Sequence, residues 1–148
     1  MDNPVAKVHA ADRRVRELTK SLLRGDPNVT DENLIQAVEE FAEAYYSSAY
    51  GVAYQMFRII TPICLHRPHL TDRLLEFPAW GLFGMFDHGE QAVAWIRWQL
   101  ARPGDEPFAA GPEGIAWLSS LAQQPERFQA MFDRFRDELS RAEGERGE

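Results

Sequence analysis

Apolar residues recur at three- and four-residue intervals along most of this chain, and this spacing constrains the fold more than any other feature. Residues at such intervals share one face of an α-helix, whereas a half-buried β-strand needs strict alternation of apolar and polar residues. Alternation with β-branched enrichment occurs nowhere in the sequence, and there is no internal repeat. We therefore expect an all-α protein. The helical spacing is clearest near the start, at Val5, Val8, Ala11, Val15, Leu18 and Leu22.

Capping residues and prolines predict where the longest helix begins and ends. Thr30 fits the N-cap position, and Asp31 and Glu32 follow it in the first turn, where the helix dipole favours acidic side chains. Apolar residues then recur at helical spacing up to Pro62, which disfavours helical geometry at the residue before it. We therefore predict one long central helix over about residues 31–60, roughly 45 Å in length.

The other helices are predicted from similar signals. Pro78 should end one of them near Phe77, and residues 87–90 have the form of a capping box at the start of another. The sequence thus predicts an irregular bundle of five or six helices in a single domain, residues 1–143, followed by a disordered charged tail, residues 144–148. Pro4, Pro112 and Pro125 are expected as first residues of further helices, and Thr71 and Asp87 as N-caps of two others.

Length, cysteine content and the longest apolar run bear on where the protein resides. At 148 residues the chain has the size of one domain, and its single cysteine, Cys64, cannot form an internal disulfide. Residues 1–25 carry charge throughout, unlike a signal peptide. The longest apolar run, residues 79–86, is far shorter than the ~20 residues that span a bilayer. We expect a soluble, cytoplasmic protein with no membrane partner.

Charge is distributed unevenly along the chain. The formal net charge is −7, to which residues 1–25 contribute +3 and the remainder −10. An acidic body repels nucleic acid over about 8 Å at physiological salt. Binding to nucleic acid is therefore disfavoured, although a basic first helix carrying Arg13, Arg16, Lys20 and Arg24 could contact phosphate.

The sequence offers little support for catalysis or for a metal. Cys64, His66 and His69 form a C-x-H-x-x-H run, but a structural zinc site usually has a second pair of ligands, and Pro68 prevents the two histidines from sharing a helix face. Whether these three residues bind a metal is left open. A nucleophile elbow, a phosphate-binding loop and a dinucleotide fingerprint are all absent. We predict no catalytic residue, no metal and no cofactor.

Three tyrosines form the first candidate binding surface. Tyr46, Tyr50 and Tyr54 recur at four-residue spacing and share one side of the predicted central helix, with Arg58 one turn further on. Tyrosine combines a large apolar area with a polar tip, which is typical of protein interfaces. Packing between helices is the simpler interpretation, and an interface is the alternative.

The second candidate surface is the apolar segment of residues 78–86, together with the adjoining histidine. Its large side chains include Trp80, Phe83 and Phe86, they are interleaved with glycines, and His88 follows. Each large apolar side chain left in water forfeits roughly 1.5–3 kcal/mol, so the segment must be core, pocket wall or interface. Burial is the simplest of these three alternatives.

Taken together, these patterns favour a non-enzymatic, acidic helical protein that binds another macromolecule as a regulator, adaptor or inhibitor. A protein partner and self-association as a homodimer are expected, because the aromatic residues exceed what one small core needs. The alternative is a small-molecule-binding protein or enzyme whose apolar pocket is walled by residues 78–90.

Overall fold

The computed structural model describes residues 4–46, 52–102 and 111–146, and all regular structure in these ranges is helical. Seven of the described helices have eight or more residues, which confirms the all-α bundle. A 3₁₀ turn at Pro68–Leu70 precedes a single-turn helix, α4. The α-helices are α1 (Pro4–Leu23), α2 (Asp31–Tyr46), α3 (Val52–His66), α4 (Thr71–Leu74), α5 (Glu76–Phe83), α6 (Gly89–Ala101), α7 (Pro112–Leu121) and α8 (Pro125–Arg146).

One apolar core receives side chains from all eight helices. Its largest fully buried members are aromatic: Phe41 from α2, Phe57 from α3, and Phe128 and Phe132 from α8. Because these four side chains come from segments far apart in sequence, burying them fixes how the helices pack on one another. Smaller buried side chains fill the space between them, among them Val15, Leu34, Ile60, Leu74, Leu82, Ile96 and Leu118.

The predicted central helix over residues 31–60 is two helices, α2 and α3, with residues 47–51 outside the described ranges. Arg67, just after α3, donates to Asp31, the first residue of α2, over 2.7 Å. A straight helix would hold these two residues roughly 54 Å apart. The two helices therefore lie side by side in opposite directions, and the prediction of one continuous helix was wrong. Its predicted start is confirmed, since the Thr30 hydroxyl accepts a hydrogen bond from the Asn33 amide at 3.0 Å.

The end predicted near residue 60 was also wrong, because α3 continues through Pro62 to His66. An interior proline costs about 3 kcal/mol, but Ile63 and Cys64 beyond it are both buried in the core. Thr61, which is buried as well, donates its hydroxyl hydrogen bond back to the Phe57 carbonyl at 2.6 Å. Tertiary burial on both sides of the proline thus outweighs its local preference.

Residues 78–86 are mostly helical, which corrects the prediction that Pro78 ends a helix. Pro78 is the third residue of α5, and a first-turn residue needs no intrahelical partner for its amide nitrogen. The helix then runs to Phe83, and its apolar residues are not confined to one side, since Pro78, Ala79 and Leu82 are buried whereas Trp80 is exposed.

The start of α6 packs directly on the start of α8. Here the predicted capping box forms one residue later than expected, because the Gln91 side chain accepts from the His88 amide at 3.0 Å. The Gly89 amide donates to the Gln129 side chain at 2.8 Å. A Cβ on Gly89 would lie 2.1 Å from the Pro125 carbonyl oxygen, so the approach of the two helices requires glycine.

The last helix, α8, continues through Gly144 to Arg146, beyond the predicted boundary at residue 143. Residues 147–148 lie outside the described ranges.

Among the described helices, none has the length and apolar character needed to traverse a membrane.

Replacing Gly89 with alanine should destabilise the fold by about 1–3 kcal/mol, because the new methyl group meets backbone atoms of α8 that cannot move aside. Urea unfolding followed by circular dichroism measures this change. Gly84→Ala is the matched control, since a Cβ there makes only ordinary contact at 3.5 Å with the Gly81 carbonyl. Equal stability of the two variants would contradict the close α6–α8 approach.

Candidate functional site

The apolar segment of residues 78–86, most of which forms α5, lies between two helices of the core, α3 and α8. Gly81 of α5 faces α3, where an added Cβ would lie 3.0 Å from the Ala53 amide nitrogen. Pro78, Ala79 and Leu82 are buried. One side of α5 is therefore pressed against α3, which leaves Trp80 and Phe83 to face the opposite neighbour, α8.

Aromatic rings from α5 and α8 form a continuous cluster. Trp80 meets Phe135 edge to face with ring centroids 5.1 Å apart, and Phe83 lies 5.6 Å from both Phe132 and Phe135. The Trp80 and Phe83 rings are themselves 5.7 Å apart. Each such pair adds about 0.5–1.5 kcal/mol beyond the area it buries, so the cluster holds α5 against α8.

The outer edge of this cluster is open to solvent. Phe132 is fully buried and Phe135 is 5% exposed, but Trp80 is 38% exposed. Leu139, one turn beyond Phe135 on α8, is 43% exposed. We call Trp80, Phe83, Phe135 and Leu139 the Trp80 face. Met85, two residues after α5, is 54% exposed.

Two arginines of α8 border the Trp80 face. The guanidinium of Arg134 lies 5.5 Å from the centre of the Phe135 ring, and that of Arg136 lies 6.0 Å from the centre of the Phe83 ring. Arg134 also forms an ion pair with Glu76, and Arg136 pairs with Asp133 at 3.0 Å. The apolar centre thus has a polar edge that carries both signs of charge.

Four further residues that the sequence predicted for binding lie outside the Trp80 face. Phe86 is half-buried against the core, and His88 is exposed at the N-cap of α6. Tyr54 is half-buried and packs on the core. Arg58 turns toward α1, where it pairs with Asp12 at 3.2 Å.

Two members of the predicted row of three tyrosines fall outside the described side chains. Tyr50 and the side chain of Tyr46 lie outside the described residues. Of the predicted site residues whose side chains the structure describes, Trp80 and Phe83 alone come together in the Trp80 face.

Sequence reasoning missed Phe135 and Leu139 as members of this surface. The available signal was the apolar stripe of the last helix, which runs through Phe128 and Phe132 to Phe135 and continues at Leu139. The stripe extends past the last position that the core buries, Phe135.

Two open clefts occur elsewhere among the described residues. A groove of about 530 Å³ between α1 and α2 is lined by Lys7, Arg14, Glu40 and Glu43, among others. A cleft of about 370 Å³ lies between α6 and α8, and Glu90 is its only lining residue from the predicted pocket wall, residues 78–90.

The possible metal ligands are engaged separately. Cys64 is buried, and this burial raises the pKa of its thiol to about 12, although a hydrogen bond with Thr71 acts in the opposite direction. His69 pairs with Asp31 at 2.8 Å, whereas the side chain of His66 is exposed. In the part of the chain that the structure describes, no three His, Cys, Asp or Glu side chains are placed to hold a metal ion.

In comparisons with known proteins, the chain matches no family model, no curated protein and no solved structure.

Asp31 is expected to make stability depend on pH. The hydrogen bond with His69, and that from Arg67, lower the pKa of the Asp31 carboxyl below its ordinary value of 3.8, against the opposing effect of burial. A lowered pKa contributes stability at pH values above 3.8, and this contribution is lost as the pH falls through the folded-state value.

Asp31→Asn should therefore destabilise the protein at neutral pH and progressively less in acid, as measured by urea unfolding between about pH 7 and pH 2.5. Glu32→Gln removes a neighbouring exposed carboxylate in the same helical turn and serves as the control. A penalty for Asp31→Asn that stays constant across this pH range contradicts the assigned pairing.

Proposed function

We propose that this chain is a non-enzymatic interaction protein, acting as a regulator, adaptor or inhibitor, that self-associates through the Trp80 face. The observation that carries the proposal is a tryptophan anchored on Phe135 by edge-to-face contact yet 38% exposed. Tryptophan and arginine are the residues most enriched among those that dominate binding energy at interfaces, and both occur here. Aromatic groups at the centre and charged groups at the edge match the anatomy of such interfaces.

A second copy of the chain suits this face because its edge is compatible with itself. A two-fold interface brings the same patch of both subunits together. Arg134 and Arg136 lie beside Glu76, Asp133 and Glu138, so each copy offers both signs of charge to the other. An edge of one sign would repel its own copy.

Two further observations support the parts of the proposal that concern the absence of enzymatic activity and the cytoplasmic location. The single thiol is buried with a raised pKa, so Cys64 is poorly suited to act as a nucleophile. With one cysteine the chain has no internal disulfide, in keeping with a reducing cytoplasm.

Sedimentation velocity between about 1 and 100 µM tests the proposal, and the wild-type chain should pass from monomer to dimer in this range. Trp80→Ser should weaken the dimer by at least about 30-fold, because losing one dominant interface residue costs about that factor and a two-fold dimer loses one from each subunit. Trp98→Ser is the matched control, because Trp98 is 57% exposed on α6 and contacts Arg102 rather than the Trp80 face.

Thermal unfolding by circular dichroism verifies that both variants are folded. A wild-type chain that stays monomeric throughout the range, or a Trp98→Ser variant that dissociates as much as Trp80→Ser, would contradict the proposed dimer.

A further inference from the structure

The outward face of α1 carries a row of basic side chains on an otherwise acidic protein. Successive helical residues turn by about 100°, so these positions fall within about 80° of arc. The row is about 22 Å long. We call it the basic stripe, and its members are His9, Arg13, Arg16, Lys20 and Arg24. All five are exposed, while Val15 and Leu22 on the opposite side of the helix are buried.

The stripe is continuous along the helix and only partly neutralised. Arg24 lies just beyond α1, but its amide still donates to the Lys20 carbonyl at 3.1 Å, which keeps it in helical register. Arg16 forms an ion pair with Asp12. Arg13 and Lys20 have no ion-pair partner among the described residues. Cationic groups of this kind are available to an external anion.

We propose that the basic stripe docks a row of carboxylates on an acidic partner protein. Three of its five members are arginine, and a guanidinium pairs with a carboxylate through two parallel hydrogen bonds. Its positions repeat every three or four residues, a spacing that matches Asp and Glu on the face of another helix. This inference deepens the proposed function by naming the chemistry of a partner, at a surface separate from the Trp80 face.

An acidic protein fits this surface better than the phosphate backbone of a nucleic acid. A nucleic acid carries continuous charge and would extend beyond the stripe onto a body with a net charge of −10. An acidic patch on a protein can end where the stripe ends. Leu23, three residues after Lys20 on the same side, is 57% exposed and offers apolar contact that a protein surface can cover.

Fluorescence anisotropy with defined probes tests this inference on the full chain. The probe is a labelled alanine-based helical peptide of about 18 residues with glutamate at every third or fourth position, long enough to span the stripe. A matched peptide carries glutamine in place of glutamate, and a DNA duplex of about 20 base pairs supplies the phosphate alternative. Each is titrated at low and at physiological ionic strength, because screening weakens contacts between exposed charges.

The wild-type chain should bind the glutamate peptide at least about tenfold more tightly than the glutamine peptide. Arg13→Gln combined with Lys20→Gln, which preserves helix propensity, should weaken glutamate-peptide binding about tenfold. Arg102→Gln combined with Arg141→Gln removes the same charge elsewhere and should leave binding within about twofold of wild type.

Tighter binding of the duplex than of the glutamate peptide would overturn the inference in favour of phosphate. Failure to bind the glutamate peptide, or an equal loss in the Arg102/Arg141 control, would overturn it as well. Dimerisation of the Arg13/Lys20 variant is measured in parallel and should be unchanged, so failure of the stripe is distinguished from failure of the proposed self-association.

Discussion

The placement of α5 between α3 and α8 is the constraint on which the candidate site depends. Because Gly81 has no side chain, α5 approaches the backbone of α3 closely at Ala53. Trp80 and Phe83 then lie on the side of α5 that faces α8. Phe132 and Phe135 of α8 complete the cluster. A helix of eight residues thus packs between two longer helices and at the same time presents one indole ring at the surface.

Helical periodicity was sufficient to predict the fold class, and local rules for proline and glycine were not sufficient to predict the boundaries. Pro62 lies within α3 because burial of the residues around it outweighs the preference of proline for ending a helix. Pro78 lies in the first turn of α5, where its missing amide hydrogen costs no intrahelical bond. The division of residues 31–60 into α2 and α3 depends on contacts such as Arg67 with Asp31, 36 residues apart. Spacing along a helix carries no information about such a contact.

The site was predictable from sequence only in part, for a similar reason. The composition of residues 78–86 indicates Trp80 and Phe83, but Phe135, which both rings contact, and Leu139, one turn further along α8, are more than fifty residues away. What the structure adds is the contrast between two surfaces. The Trp80 face is aromatic with mixed charge at its edge, whereas the outward side of α1 is a row of basic side chains with one exposed leucine, Leu23, at its end. We propose different partners for these two surfaces, a second copy for the first and an acidic protein for the second.

Hydroxyl-radical footprinting read by mass spectrometry, at about 1 µM and about 100 µM protein, tests the central claim most directly because it reports the exposure of individual side chains. Trp80 should be oxidised in the dilute sample and protected in the concentrated one. Leu82, which is fully buried, should be protected in both, and Trp98 should be oxidised in both. In the dilute sample, oxidation of Leu82 equal to that of Trp80 would contradict the burial of Leu82 in α5. Oxidation of Trp80 that does not change with concentration would contradict the proposed self-associating face.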